Sequence, residues 1–232
     1  MSNNININDR RYGYLLAAPT VLIVLLIILF PITFALISSF FDYTLINKSF
    51  NNFIGLDNYV NSINDEQLFN SISVTIFFVI LVVLFEFLLG FFIALLLNSI
   101  DRFKSVYYFI LLLPLLINPI VVGLIWRMFL HPQLGILNYL LSLISINPIN
   151  WLGDPKMAFV TIIFVDIWHQ VSFMIILLLA GLSAIPKEPY EAARSDGAGI
   201  LDCFIHITLP YMRPVIIVTI LIRLIFAVKT YD

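Results

Sequence analysis

Apolar runs too long for the core of a soluble domain dominate this chain. Five stand out, at about 15–41, 74–97, 106–130, 158–182 and 215–228. A hydrocarbon core of about 30 Å takes roughly 20 helical residues to cross, and the first four runs reach that length. The fifth holds 14 residues, about 21 Å of helix and short of a crossing. It is apolar except for Arg223 and runs into Lys229-Thr230-Tyr231-Asp232. The chain is therefore expected to stop inside a fifth helix, 215–232, that a longer protein continues. Of its residues, 61% are hydrophobic and 11% charged, whereas a soluble domain averages about 25% charged. The bilayer is the solvent these numbers fit. In lipid every backbone polar group must be satisfied within the segment, so runs of this length read as helices. The expected fold is an all-α polytopic transmembrane bundle.

Other bulk features narrow the reading. Net charge is −2, which suggests no nucleic-acid partner. The lone Cys203 excludes an intrachain disulfide framework and a cysteine zinc site. The first run follows Arg10 and Arg11 but continues past a signal-peptide core and lacks a small-residue cleavage site, so it reads as a retained anchor. Pro19, Pro31, Pro114 and Pro119 fall inside the apolar runs and are expected to mark kinks.

Sidedness follows from lysine and arginine in the short loops. Arg10, Arg11, Arg102, Lys104, Lys187, Arg194 and Arg213 lie at the N-terminus, between runs two and three, and between runs four and five. The alternate loops hold only Lys48 and Lys156. Residues 1–14 are thus expected in the cytoplasm, with 15–232 as the membrane domain. The outer loop between runs three and four contains a short amphipathic helix near 134–141. Trp151-Leu152-Gly153-Asp154-Pro155 then turns the chain back. Trp126 and Trp151 are placed as interfacial aromatics.

Between runs four and five lies a polar island, Glu188-Pro189-Tyr190-Glu191-Ala192-Ala193-Arg194-Ser195-Asp196-Gly197-Ala198-Gly199. Pro189 suits the first turn of a helix, and Glu191 there favours the helix dipole. Glu191 and Arg194 stand at pairing distance. Gly197 suits the left-handed residue that ends a helix. A second short helix is expected from about Ile200 to Ile207, stopping before Pro210. The pair occupies about 188–207 on the cytoplasmic face, with small residues that admit another backbone. A plain connection needs no such organisation; a docking surface for a soluble partner does.

The spacing here is specific. Glu191-Ala192-Ala193, three residues, Gly197, nine residues, Ile207, one residue and Leu209-Pro210 resembles the signature of permease subunits of binding-protein-dependent ABC importers. Asp196-Gly197-Ala198, Phe204 and Pro214 make it most similar to the sugar-importer branch, like the first permease of maltose- or glycerol-phosphate-type pairs. The likeness extends through 118–126, 135–139 and 151–154, and so along nearly the whole chain. It implies a type I importer permease in a bacterial or archaeal cytoplasmic membrane, lacking the rest of the fifth helix and a sixth. It implies no ATP binding and no cofactor. The implied partners are a separate ATPase dimer, a second homologous permease, an extracytoplasmic solute-binding protein and membrane lipid. Glu191, Ala192, Ala193 and Gly197 would form the ATPase-docking surface, and a carbohydrate would be the cargo. A secondary transporter driven by an ion gradient is the alternative.

Polar residues inside the apolar runs are costly and suggest function. Glu86 would line the solute path or pair with another helix. Asp166 and His169 share one face of the fourth run. They suggest a metal or relay pair, but two ligands make a poor metal site. Asp166, Trp168, His169 and Gln170 are candidate contacts to a sugar, which wants aromatic faces and hydrogen-bonding groups. Arg223 has Glu86 or Asp166 as possible partners. No glycine-rich phosphate loop or nucleophile elbow occurs, so an enzyme is not expected.

Overall fold

The computed structural model describes residues 7–44, 46, 50–100, 102 and 104–230. Among these residues there is no strand, only one isolated bridge. The chain divides into two compact units, Met1–Ile72 and Ser73–Asp232.

The first unit holds α1 (Ile7–Ser38), α2 (Asp57–Ile63) and the start of α3 (Glu66–Asn98). The loop after α1 is pinned at its base. Phe41 bridges Phe53 in antiparallel sense, with Asp42 N–H donating to Asn52 O and Ile54 N–H to Phe40 O, both at 3.0 Å. Phe34, Phe41, Tyr43 and Phe50 pack edge-on or stacked over it. Asn58 Nδ2 then donates to Ser39 O (2.9 Å) and Phe41 O (3.2 Å), holding α2 against the end of α1.

The second unit contains the rest of α3, α4 (Lys104–Leu116), α5 (Pro119–Phe129), α6 (Ile136–Leu143), α7 (Pro155–Ser183), α8 (Glu188–Ser195), α9 (Ile200–Cys203), a π turn (Phe204–Thr208) and α10 (Leu209–Lys229). Its core is Phe78, Val82 and Ala94 of α3, Met174, Ile175 and Leu178 of α7, and Met212 and Ala227 of α10, all buried. Small residues set the close approaches, as expected where lipid supplies no hydrophobic drive between helices. A Cβ on Gly90 would lie 2.7 Å from Met174 Cβ, and one on Gly181 would lie 2.8 Å from Val215 Cγ1.

Four described helices are long and apolar enough to cross a membrane: Tyr14–Ser38, Glu66–Asn98, Pro155–Ser183 and Ile200–Lys229. Two expectations need correction. The third run, 106–130, is not one kinked helix. It is two helices, Ser105–Leu116 and Pro119–Phe129, bent by 92°. Asn118 Oδ1 caps α5 by accepting from Ile120 N–H (2.9 Å), and Pro119 takes the first turn. A residue before proline is pushed out of helical geometry, so the chain restarts rather than bends.

The fifth helix does not start at Val215, nor does the short helix before it stop before Pro210. Ile200–Lys229 is one apolar helical run of 30 residues, and it spans both. Proline clashes with the carbonyl four residues back. The π turn before Pro210, closed by Leu209 N–H to Phe204 O, widens the helix where that clash would fall.

Candidate functional site

At the centre of the second unit α3, α7 and α10 meet at a buried ion cluster. Arg223 Nε donates to Glu86 Oε2 (2.6 Å) and its Nη2 to Glu86 Oε1 (2.9 Å). The same Nη2 also bonds Asp166 Oδ2. Arg223 is 1% exposed and Glu86 0%. Arg223 and Glu86 stand 137 positions apart in the chain. The planar guanidinium meets one carboxylate edge-on, the two-bond geometry in which arginine is strongest. These are the ion pairs found among the described residues. The Glu191–Arg194 pair expected on the island is not formed.

Below Asp166, α7 carries His169 and Ser172 on the same face. His169 Nε2 bonds Ile117 O (3.1 Å), and its Nδ1 meets Gln170 Nε2 (3.1 Å). The tautomer with hydrogen on Nε2 satisfies both. Ser172 Oγ donates to Leu111 O (2.5 Å). A broken helix at membrane depth leaves carbonyls without their partners, and neighbouring side chains must supply them. His169 does this at the break, while Ser172 ties α7 to α4 farther back, within the helix. The described residues contain no group of three or more metal-binding side chains. Of the five expected path residues, Glu86, Asp166, His169 and Gln170 all bond within the chain, and Trp168 and Gln170 are half-buried. Trp168 stacks edge-on against Trp126, which also meets Phe129 and Phe164. Trp126 of α5 thus packs against α7 through Phe164 and Trp168.

The loop between α5 and α7 is organised by Asn138, to which the sequence analysis gave no individual role. Asn138 is 5% exposed. Its Nδ2 donates to Pro132 O (2.9 Å) and Ile149 O (3.0 Å), while its Oδ1 accepts from Ile149 N–H (3.1 Å) and Trp151 Nε1 (2.9 Å). One amide uses its donors and acceptor in full. The signal was a lone amide in a mostly apolar eight-residue helix. Asp154 Oδ1 then caps α7 by accepting from Met157 N–H (2.9 Å).

The island folds as an exposed helix, turn and helix. α8 ends in a paired closure: Gly197 N–H donates to Arg194 O (3.1 Å) and Ala198 N–H to Ala193 O (2.9 Å). Gly197 has φ +86°, the left-handed residue this closure needs. Asp202 Oδ2 accepts from Gly199 N–H (3.0 Å) at the start of α9. Glu191, Ala192 and Gly197 are exposed and Ala193 half-buried. Tyr190 O–H and Thr208 Oγ1 lie 2.9 Å apart, tying α8 to the π turn. A cavity of about 230 Å³ opens beneath, lined by Leu95, Arg194, Cys203 and Phe204 among others.

Apolar helices of spanning length around buried polar contacts, with one capped helix pair left at the surface, define a multi-pass membrane protein. The family model described as the binding-protein-dependent transport system inner membrane component matches residues 86–232, and the chain belongs to that family of ABC transporter permeases. It is 36% identical to the trehalose/maltose transport system permease protein MalF of Thermococcus litoralis, over 100% of this chain and 78% of that one. It is 33% identical to the sulfoquinovosyl glycerol transport system permease protein SmoG of Agrobacterium fabrum, over 98% and 74%. Among solved structures, a bacterial ABC transporter involved in import of the acidic polysaccharide alginate superposes with TM-score 0.81 at 28% identity, over 96% of this chain and 76% of that one. A second alginate transporter structure, in complex with an alginate pentasaccharide-bound periplasmic protein, gives 0.81 at 29%, over 94% and 72%. Membership sets aside the ion-gradient alternative.

Proposed function

We propose that this chain is the permease subunit of an ATP-driven importer for a sugar or related carbohydrate, and that α8 and α9 dock a separate ATPase. The observation that carries the docking role is the exposed, tightly capped helix pair at 188–203, whose second helix continues without interruption into α10. A loop that merely joined two crossings would need neither the paired closure at Gly197 nor the continuity. Glu191, Ala192, Ala193 and Gly197 are the contact residues: the alanines and the glycine let a groove approach the backbone, and exposed Glu191 offers a charge beside them. The carbohydrate reading is supported by relatives named for trehalose/maltose, sulfoquinovosyl glycerol and alginate. A second permease and an extracytoplasmic binding protein complete the assembly, with residues 1–14 and the helix pair in the cytoplasm. Trp168 and Gln170 are the residues we place beside the solute path.

The test is copurification with the cognate ATPase from detergent, for the parent and for Gly197→Asp. The parent should retain the ATPase and the variant should lose it while inserting normally. If neither form binds an ATPase, the helix pair is not a docking surface.

A further inference from the structure

The rod that starts at the surface pair is gripped at two depths. Ile200–Lys229 is one helical run. Near its start Tyr190 of α8 bonds Thr208 in the π turn. Arg223 lies 15 residues beyond Thr208, about 22 Å along the axis. There it binds α3 through Glu86 and α7 through Asp166. A displacement applied at α9 therefore reaches the core through one helix, and that helix meets its neighbours in a buried ion cluster.

We infer that Arg223 is a positioning residue for transport, and that with Glu86 and Asp166 it forms the joint through which movement of α9 is passed to α3 and α7. This rests on the docking role proposed above. The competing explanation is a cluster that only stabilises the bundle. Two observations favour a joint. First, a buried charge triad is a poor choice for stability alone, because apolar residues of similar volume usually do as well or better. Second, the grip is unequal. Two guanidinium nitrogens engage Glu86, which resists rotation of α10 against α3. Asp166 shares one of those same nitrogens, through a single bond. So α3 and α10 move together, and the contact to α7 is the one remade as the bundle changes shape.

The test uses the complete importer in proteoliposomes, with solute uptake and ATP hydrolysis measured together. The informative variant removes all three charges at once, Glu86→Leu with Asp166→Leu and Arg223→Met, because a single deletion strands the remaining charges and can unfold the bundle. The triple variant should assemble with the ATPase and hydrolyse ATP. Its uptake per ATP should fall roughly tenfold, within the usual range of coupling between sites. Arg223→Lys keeps the charge but loses the fork, and should assemble with a smaller fall in the same ratio. Parental uptake per ATP in the triple variant overturns the joint, and so does a triple variant that cannot assemble. A parent that retains no ATPase overturns the docking role itself, which this experiment reports separately.

Discussion

At the residue scale, the second unit is specified by a few polar side chains placed where lipid would not tolerate them alone. Arg223→Met should strand two buried carboxylates and cost about 3–5 kcal/mol. Thermal unfolding in detergent should show a lowered midpoint, largely restored when Glu86 and Asp166 are also made apolar. Restoration would not occur if the cost came from lost side-chain volume. Asn138→Ala should leave its backbone and indole partners unpaired, at a cost of at least about 2 kcal/mol. Faster protease cleavage within 132–154 would register it, and an unchanged cleavage rate would mean water replaces the amide. The candidates were visible in the sequence, since a charge in an apolar run announces itself. Their partners were not. Glu86 and Arg223 are separated by most of the chain, and only the packing of α3 on α10 brings them to 2.6 Å. His169 stood out as a polar residue in an apolar run, but its bond to the Ile117 carbonyl at a helix break is not something periodicity alone reveals.

At the element scale, helices existed where apolar length demanded them, but their ends and breaks followed local chemistry. α7 runs Pro155–Ser183 against an expected 158–182, and α3 begins at Glu66 rather than near residue 74. Prolines misled in both directions. Pro119 with the Asn118 cap turns the chain by 92°, while Pro210 and Pro214 are absorbed into a continuous helix. The difference lies in what surrounds each one. A cap and a neighbouring histidine stabilise a break; at Pro210 a widened π turn stabilises continuity. The turn at Gly197 was legible because its requirement is local. A Cβ there would meet nothing within 4 Å, so Gly197→Ala should cost only the left-handed backbone, about 1–2 kcal/mol. ATPase copurification should weaken in Gly197→Ala and disappear in Gly197→Asp. Equal retention by both variants would show that turn geometry does not matter to docking.

At the scale of the whole molecule, sidedness is the claim most open to a direct check. In a Cys203→Ser background, a membrane-impermeant maleimide added outside intact cells should label Ser142→Cys in α6 and leave Ser195→Cys in α8 unlabelled until the membrane is opened. The reverse pattern would invert the proposed topology. By itself the sequence determined the solvent, the all-helical class, where the long apolar helices lie and the capped surface pair. These depend on hydropathy over windows of about 20 residues and on turn chemistry within four or five. Tertiary structure alone decided which buried charges meet, where the third run breaks, and that α9 and α10 form one rod. Those outcomes depend on groups far apart in the chain satisfying each other inside hydrocarbon, where an unpaired charge or carbonyl is costly and water cannot stand in for the missing partner.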